Sequence, residues 1–156
     1  MGTLRTYKTD PLGVPHHIRV TFDSKIAIVL HDDLEGWQRL NATAFLVSAV
    51  AGSRPELLGE VYRDADGTEY LPMFGQPVLI FQADDVRVLA AARQRAVERG
   101  LRLSVFTRDL FKTNNDEDNR AAVSSVPGAE LDLVGIALHA PRNAVDKVVK
   151  GARLHP

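Results

Sequence analysis

The stretch KIAIVLHDDLEGWQRLNATAF, residues 25–45, decides the fold class. Its first part, residues 25–30, is an uninterrupted apolar run rich in β-branched side chains, which is typical of a central strand buried on both faces of a sheet. Residues 35–51 then repeat apolar side chains at helical spacing until Gly52 and Pro55, so we expect a largely buried helix there. A buried strand followed directly by a helix is the repeating unit of an α/β domain.

The rest of the chain continues this alternation. We predict strands at residues 77–81, 103–106 and 133–138, and helices at residues 84–100 and 143–150. Asp84 and Asp85 provide an N-cap for the first of these helices, and Gly100 provides its left-handed stop. We therefore predict a three-layer α/β/α sandwich, with one α/β domain over residues 25–156 and an N-terminal arm over residues 1–24.

Two segments between these elements are polar. Residues 59–75 are rich in turn residues, with a tight turn at Asp66–Gly67 between short extended pieces. Residues 113–126 form either a polar loop or a short helix, and their acidic first half, residues 113–120, either closes over a neighbouring pocket or is solvated.

Composition limits the function classes. The chain has 156 residues, 45% of them hydrophobic, and a formal charge of −1, as expected for one soluble domain with a real core. It has no cysteine, which excludes thiol nucleophiles and Cys-based zinc sites and fits a reducing compartment. No apolar stretch is long enough for a signal or a membrane anchor. We expect a cytoplasmic protein with no membrane partner.

Charge is unevenly distributed along the chain. Residues 32–73 carry a formal charge of −5 and residues 87–112 carry +5. The arginines of the predicted helix at residues 84–100 fall on its polar side, where they face water. Nucleic-acid binding usually needs a continuous basic surface, and this basic block is flanked by acidic segments. We therefore expect no nucleic-acid partner.

Polar residues follow two of the predicted strands. His31, Asp32 and Asp33 come after the first strand, and residues 107–109 come after the third. Open α/β sheets bind ligands at the carboxyl ends of their strands. Adjacent carboxylates there can hold a divalent cation, polarise a water or receive an amine, with His31 as proton shuttle. The alternative is that Asp32 or Asp33 caps the following helix.

Asn41 interrupts the apolar face of that helix. A buried amide must find partners, so Asn41 either points into a ligand site or ties down a loop. We predict that Asp32 or Asp33, Asn41, and Thr107 or Asp109 line one cavity. The chain contains no phosphate-loop signature, no G-x-G-x-x-G, no H-E-x-x-H and no nucleophile elbow, so we expect neither a metal nor a cofactor.

Four segments carry a resemblance to a known family. These are the strand and turn at residues 25–34 with the Ala-rich helix containing residues 41–45, the acidic stretch at 113–120, residues 131–135, and residues 144–151. Over residues 25–156 the chain resembles the domain-of-unknown-function family numbered two thousand. That family is similar in fold to type II peptidyl-tRNA hydrolases, which implies a compact α/β/α sandwich around a small mixed sheet and a homodimer.

The hydrolase chemistry itself does not follow from the resemblance. Ala44 and Val47 stand where the hydrolases have a Gln and a His, and the lysines at the helix start are absent. Arg39 could replace a phosphate-binding charge, and Asp109 loosely matches an acid after the third strand. Peptidyl-tRNA hydrolysis is therefore not carried over.

Two functions remain. In the first, the protein binds a small polar ligand at the carboxyl ends of its strands through six residues: Asp32, Asp33, Arg39, Asn41, Thr107 and Asp109. In the alternative, the same pocket hydrolyses an aminoacyl or peptidyl ester or amide, with Asp33 or Asp109 as general base and Arg39 or Arg108 holding an anion.

The expected homodimer would hide large apolar side chains that one small sheet does not cover. The candidates are Trp37, Tyr70, Met73 and Phe74, since aromatic residues and Met are enriched in interface cores. The alternative is that residues 59–75 fold over the core and bury these side chains within one chain.

Overall fold

The computed structural model describes residues 20–156, and most of the predicted arm, residues 1–19, lies outside this range. The described chain is a mixed α/β fold built on a five-stranded sheet with the order β5-β6-β1-β4-β7. The strands of this sheet are β1 (Ser24–His31), β4 (Val78–Ala83), β5 (Leu103–Thr107), β6 (Leu133–Pro141) and β7 (Arg153–Leu154). A separate two-stranded ladder joins β2 (Tyr62–Arg63) and β3 (Glu69–Tyr70).

The strand directions place three carboxyl ends at one edge of the sheet. β1 is parallel to β4, while β6 is antiparallel to both β1 and β5. β1, β4 and β5 therefore run in the same direction. Their carboxyl ends meet at one edge, which we call the carboxyl edge, and their first residues lie at the opposite, amino edge.

Helices cover both faces of the sheet. α1 (Gly36–Ser53) buries Ala42, Leu46 and Val50 against the face of β1 that carries Ile26, Ile28 and Leu30. The other face is covered by α2 (Val86–Glu98) and α4 (Arg142–Val148), whose buried residues are Leu89, Ala92, Ala96, Val145 and Val148. α3 (Asp116–Ser124) buries none of its residues.

Gly135 of β6 sets the distance between α1 and the sheet. A Cβ at this position would lie 2.8 Å from Leu46 Cδ1 and 3.0 Å from Leu30 Cδ2. Both atoms belong to buried side chains of the core, so neither can move freely. The absence of a side chain at Gly135 therefore lets α1 pack closely on β6.

The predicted elements are found close to their predicted positions, including the N-cap Asp85 and the left-handed Gly100, with φ of 67°. The segment at 113–126 contains a helix capped by Asn115, and the acidic residues of its first turn are exposed. The cap of α1 is Glu35, which forms a capping box with Gln38, so neither Asp32 nor Asp33 caps this helix.

The predicted burial of α1 is wrong. Trp37, Leu40 and Phe45 are 56%, 76% and 54% exposed, and Asn41 is exposed as well. The helix has small or apolar side chains around its whole circumference, so hydrophobic periodicity could not identify the face that packs on the sheet. In α2 the sequence spacing predicts that Val86 and Val97 face the core, and this prediction is also wrong, because both are exposed.

The turn-rich segment does not bury its large side chains. Tyr70 and Met73 are 55% and 60% exposed, and only Phe74 packs against the core on the α1 side. The alternative in which residues 59–75 cover these side chains within one chain is therefore wrong for Tyr70 and Met73. Within residues 20–156, no helix combines the length and the apolar character needed to cross a bilayer.

Candidate functional site

Backbone hydrogen bonds hold the strand ends together at the carboxyl edge. The N–H of Asp32, just after β1, donates to the carbonyl of Ala83 at the end of β4 over 2.9 Å. The N–H of Arg108, just after β5, donates to the carbonyl of Asp132, just before β6, over 3.0 Å. The polar residues that follow these strands are therefore fixed on rigid elements.

An ion-pair network joins two of these strand ends. Arg108 Nη2 lies 3.1 Å from Asp33 Oδ2, and Arg108 Nε lies 3.4 Å from Asp132 Oδ2. The guanidinium is thus shared between one carboxylate after β1 and one before β6. The pair links residues 75 positions apart in sequence. It brings together the two clusters that the sequence analysis placed at one edge.

His31 contacts the same carboxylate. Its Nδ1 lies 2.8 Å from Asp33 Oδ1 and 3.1 Å from the Asp33 backbone N–H. One nitrogen cannot donate to the first group and accept from the second at the same time. The Asp33 backbone N–H donates a hydrogen bond to Nδ1, which is therefore the acceptor, and the approach of Nδ1 to Oδ1 is a close contact only. Arg108 is then the group that donates to the Asp33 carboxylate.

Arg39 fixes the turn after β1 from the first turns of α1. Its Nε donates to the carbonyl of Leu34 over 2.9 Å and its Nη2 donates to the carbonyl of Asp32 over 2.6 Å. Its Nη1 lies 2.7 Å from Nε2 of His155, which must accept, because a guanidinium has no acceptor atom. The His155 backbone N–H donates to Ile80 of β4 over 2.8 Å. Arg39 therefore connects the site turn to the carboxyl-terminal segment of the chain.

The other predicted site residues differ in their exposure. Asp32 lies beside His31, with Oδ1 3.5 Å from Nδ1 and a side chain that is 33% exposed. Thr107 is 4% exposed at the end of β5, and Asp109 is exposed in the 3₁₀ turn after it. Asn41 lies on the exposed side of α1, so its amide needs no buried partner. The edge thus gathers Asp32, Asp33 and Arg39, whereas within residues 20–156 neither Asn41 nor Asp109 makes a side-chain hydrogen bond or an ion pair with them.

Sequence reasoning did not include two residues at this edge. Asp132 and His155 were missed because the direction of β6 and the path of residues 153–156 could not be read from the sequence. Trp37, which the sequence analysis gives as a candidate for a homodimer interface, also lies here. Its Nε1 donates to Glu35 Oε2 over 2.8 Å, and its ring contacts Phe111 edge to face at 5.5 Å between centroids. Phe111 follows β5 closely, so Trp37 stands beside the carboxyl edge.

Electrostatics at this edge are dominated by carboxylates. The Arg87 guanidinium and backbone N–H hold the pKa of Asp85 at about 2, with a smaller effect from His31. Six aspartates lie in the turns at the ends of β1, β4 and β5 and before β6, namely Asp32, Asp33, Asp84, Asp85, Asp109 and Asp132. Three arginines accompany them, namely Arg39, Arg87 and Arg108. Among the residues that the structure describes, no three His, Asp or Glu side chains are arranged to hold a metal ion.

A cavity of about 880 Å³ lies at the amino edge, away from the predicted site. It is lined by the start of β1, the end of α1 and the end of β6, including Ser24, Arg54, Arg102 and His139. None of the six predicted site residues lines it. The shared cavity predicted for Asp32 or Asp33, Asn41, and Thr107 or Asp109 stays a prediction.

The histidine of this amino-edge cavity is neutral and does not activate Ser24. Gln76 Nε2 donates to the Ser24 carbonyl. This hydrogen bond turns Oε1 of the same Gln76 amide towards the Ser24 hydroxyl, at 3.3 Å. Because Oε1 can only accept, the Ser24 hydroxyl donates to Oε1. His139 Nε2 lies 2.9 Å from Ser24 Oγ and therefore carries the proton that it donates to this oxygen. The buried Nδ1 is then an acceptor with no partner among residues 20–156. Burial lowers the pKa of His139, and Arg54 lowers it further.

Comparison with known proteins identifies the family. The family model "Protein of unknown function (DUF2000)" matches residues 24–156, and the chain therefore belongs to this family. A solved structure of a protein of unknown function from Agrobacterium tumefaciens is similar, with a TM-score of 0.85 and 41% sequence identity. The match covers 87% of this chain and 100% of that one. A search among curated proteins found no match.

Proposed function

We propose that this member of the DUF2000 family binds a small polar ligand at the carboxyl edge of its sheet. The observation that carries the proposal is the Asp33–Arg108 ion pair, which joins the ends of β1 and β5 at 3.1 Å. Ligands of open α/β sheets bind outside the carboxyl ends of the strands. The edge also has rigid support, since the turn after β1 is held by Arg39 and by the end of β4.

The available groups favour a ligand that donates hydrogen bonds. The Asp33 carboxylate is held by Arg108, and Arg39 is held by two carbonyls and His155. Asp32, Asn41, Thr107 and Asp109 then supply the recognition groups, all of which can accept a hydrogen bond. The edge turns carry six aspartates and three arginines, and so a formal charge of −3. We therefore expect an amine or a hydroxyl-rich compound rather than an anion.

The hydrolase alternative has less support. A general base needs a free carboxylate that reaches a water, and the Asp33 carboxylate already accepts from Arg108. Arg108 is shared between Asp33 and Asp132, so it is not free to hold an anionic intermediate. Asp109 remains as a possible base, but nothing orients it towards a nucleophile.

We propose that residues 25–156 form one domain, an α/β/α sandwich of the type found in type II peptidyl-tRNA hydrolases. The mixed sheet, with one helix on one face and two on the other, supports this proposal. We also propose a cytoplasmic location without nucleic-acid or membrane partners. Arg95 supports the absence of nucleic acid, because its guanidinium already donates to the carbonyls of Val148 and Lys150.

Calorimetric titration with a panel of small amines and polyols tests the ligand proposal. Asp33→Asn removes the ion pair between Asp33 and Arg108. Asp146→Asn is the matched control, because Asp146 is paired with Lys25 at the amino edge and its side chain is similarly exposed, 51% against 48% for Asp33. We expect a compound whose affinity falls at least tenfold in Asp33→Asn and is unchanged in Asp146→Asn. Equal loss in both variants, or no binding by any member of the panel, would contradict the proposal.

A further inference from the structure

The outer face of α1 carries no charged residue. Of its 18 residues only Arg39 is charged, and Arg39 is held by the carbonyls of Asp32 and Leu34 and by His155. Helices on the surface of soluble proteins normally present charged or polar residues to water on the side opposite the core. The outer face of α1 departs from that rule over its whole length.

This face is also apolar at its centre. Successive helix positions turn by 100°, which places Trp37, Leu40, Ala44 and Ser48, together with the polar but uncharged Asn41, opposite the buried Ala42, Leu46 and Val50. Leu40 is 76% exposed and Trp37 is 56% exposed. The large side chains stand towards the amino end of the helix, while small ones continue the same stripe. Such a surface is suited to close contact with another helix.

Exposed hydrophobic side chains are concentrated on this side of the molecule. Eight of the twelve large ones in residues 20–156 belong to α1 or to the segment that follows it, namely Trp37, Leu40, Phe45, Val61, Tyr62, Tyr70, Leu71 and Met73. That segment belongs to the α1 layer, because Leu57 and Phe74 at its two ends pack in the same core cluster as α1. Of these twelve residues, only Val86 and Val97 belong to the helices on the opposite face of the sheet.

We propose that a second copy of this chain covers the outer face of α1, with the two α1 helices packed against each other about a two-fold axis. A two-fold axis brings the same patch of both subunits together, so any charge on the patch would face a like charge. A charge-free apolar face avoids that repulsion. Ala44 and Ser48 in the stripe allow the two helix axes to approach to the usual 8–10 Å.

The exposed area is sufficient for such a contact. Aromatic side chains bury about 150–250 Å² each. With the same area for each side chain, scaled by its exposure, Trp37, Leu40 and Phe45 with Tyr70, Leu71 and Met73 offer roughly 600–950 Å² per subunit, a range that includes the ~800 Å² of a standard interface. The interface would also border the carboxyl edge, since Trp37 contacts Phe111 just after β5.

Sedimentation equilibrium of the full chain at 1–50 µM tests this inference. We expect the wild type to sediment at about twice 17.1 kDa. Leu40→Glu places like charges opposite each other, and we expect it to weaken self-association at least 100-fold. Ser48→Arg on the same stripe provides a second, independent disruption. Val97→Glu is the matched control on the opposite layer and should leave the dimer intact.

The sole tryptophan of the sequence, Trp37, gives a second readout. Its emission should shift to longer wavelength on dilution of the wild type and be insensitive to dilution in Leu40→Glu. A wild type that stays near 17.1 kDa at 50 µM would overturn the inference. A dimer that survives both Leu40→Glu and Ser48→Arg would overturn it as well. These outcomes report self-association alone and are separate from the calorimetric test of the ligand, although Asn41, one of the proposed recognition groups, also lies on the outer face of α1.

Discussion

Replacement of Arg39 by Met should loosen the turn that carries Asp32 and Asp33. The substitution keeps the aliphatic stem but removes the donors to the carbonyls of Asp32 and Leu34, at 2.6 and 2.9 Å, and to His155. Hydrogen bonds that involve a charged group contribute about 1.5–3 kcal/mol each. Because Arg39 is only half-buried, we take the lower value for each carbonyl. We expect the free energy of unfolding to fall by about 3 kcal/mol.

Urea unfolding followed by circular dichroism, at one fixed protein concentration, measures this change. Arg39→Lys should be intermediate, since an ammonium group can reach one carbonyl but does not reproduce the planar fork. Arg63→Met is the control, because it removes only an exposed pair with Glu69 and should change stability by at most about 1 kcal/mol. A loss below about 1 kcal/mol in Arg39→Met would refute a structural role for this guanidinium.

Three further predictions concern packing and protonation. Gly135→Ala should lower the free energy of unfolding by about 1–3 kcal/mol in urea melts, because the added Cβ would overlap core side chains. Gly52→Ala is the control: its added Cβ would have no neighbour within 4 Å, so this variant should be neutral or stabilising. The free energy of unfolding should fall as the pH drops below about 6.5, because the lowered pKa of His139 makes the unfolded chain bind the proton more readily than the folded chain. In melts between pH 5 and 7, His139→Gln should reduce this dependence of the free energy of unfolding on pH. The carboxyl of Asp85 should titrate near pH 2 in carbon-detected NMR and should move towards 3.8 when Arg87 is replaced by Met.

The strands were predictable because their signal is local. Residues 25–30 form a continuous apolar run, and such a run is stable only where a sheet is covered on both faces. The burial of α1 was not predictable, because a helix with only one charged residue offers no polar face to orient it. The near absence of charge on α1, which hides the orientation of the helix in the sequence, is also the basis for the proposed interface.

The candidate site also has one part that could be predicted from the sequence and one part that could not. The approach of residues 31–33 to residues 107–109 could be predicted from the rule that aligned strands end at one edge. The contact between Arg39 and His155 joins residues 116 positions apart, and only the paths of α1 and β7 bring them together. The neutral state of His139 depends on a hydrogen-bond chain through Gln76 and Ser24, which no spacing in the sequence indicates.

The most direct test of ligand binding at the carboxyl edge is an amide NMR titration of the ¹⁵N-labelled chain with the tightest amine or polyol found by calorimetry. We expect the largest shift changes at residues 31–33 and 107–109, with little change around Ser24 and His139 at the amino-edge cavity. Shift changes centred on that cavity, with residues 31–33 and 107–109 unaffected, would contradict a site at the carboxyl edge.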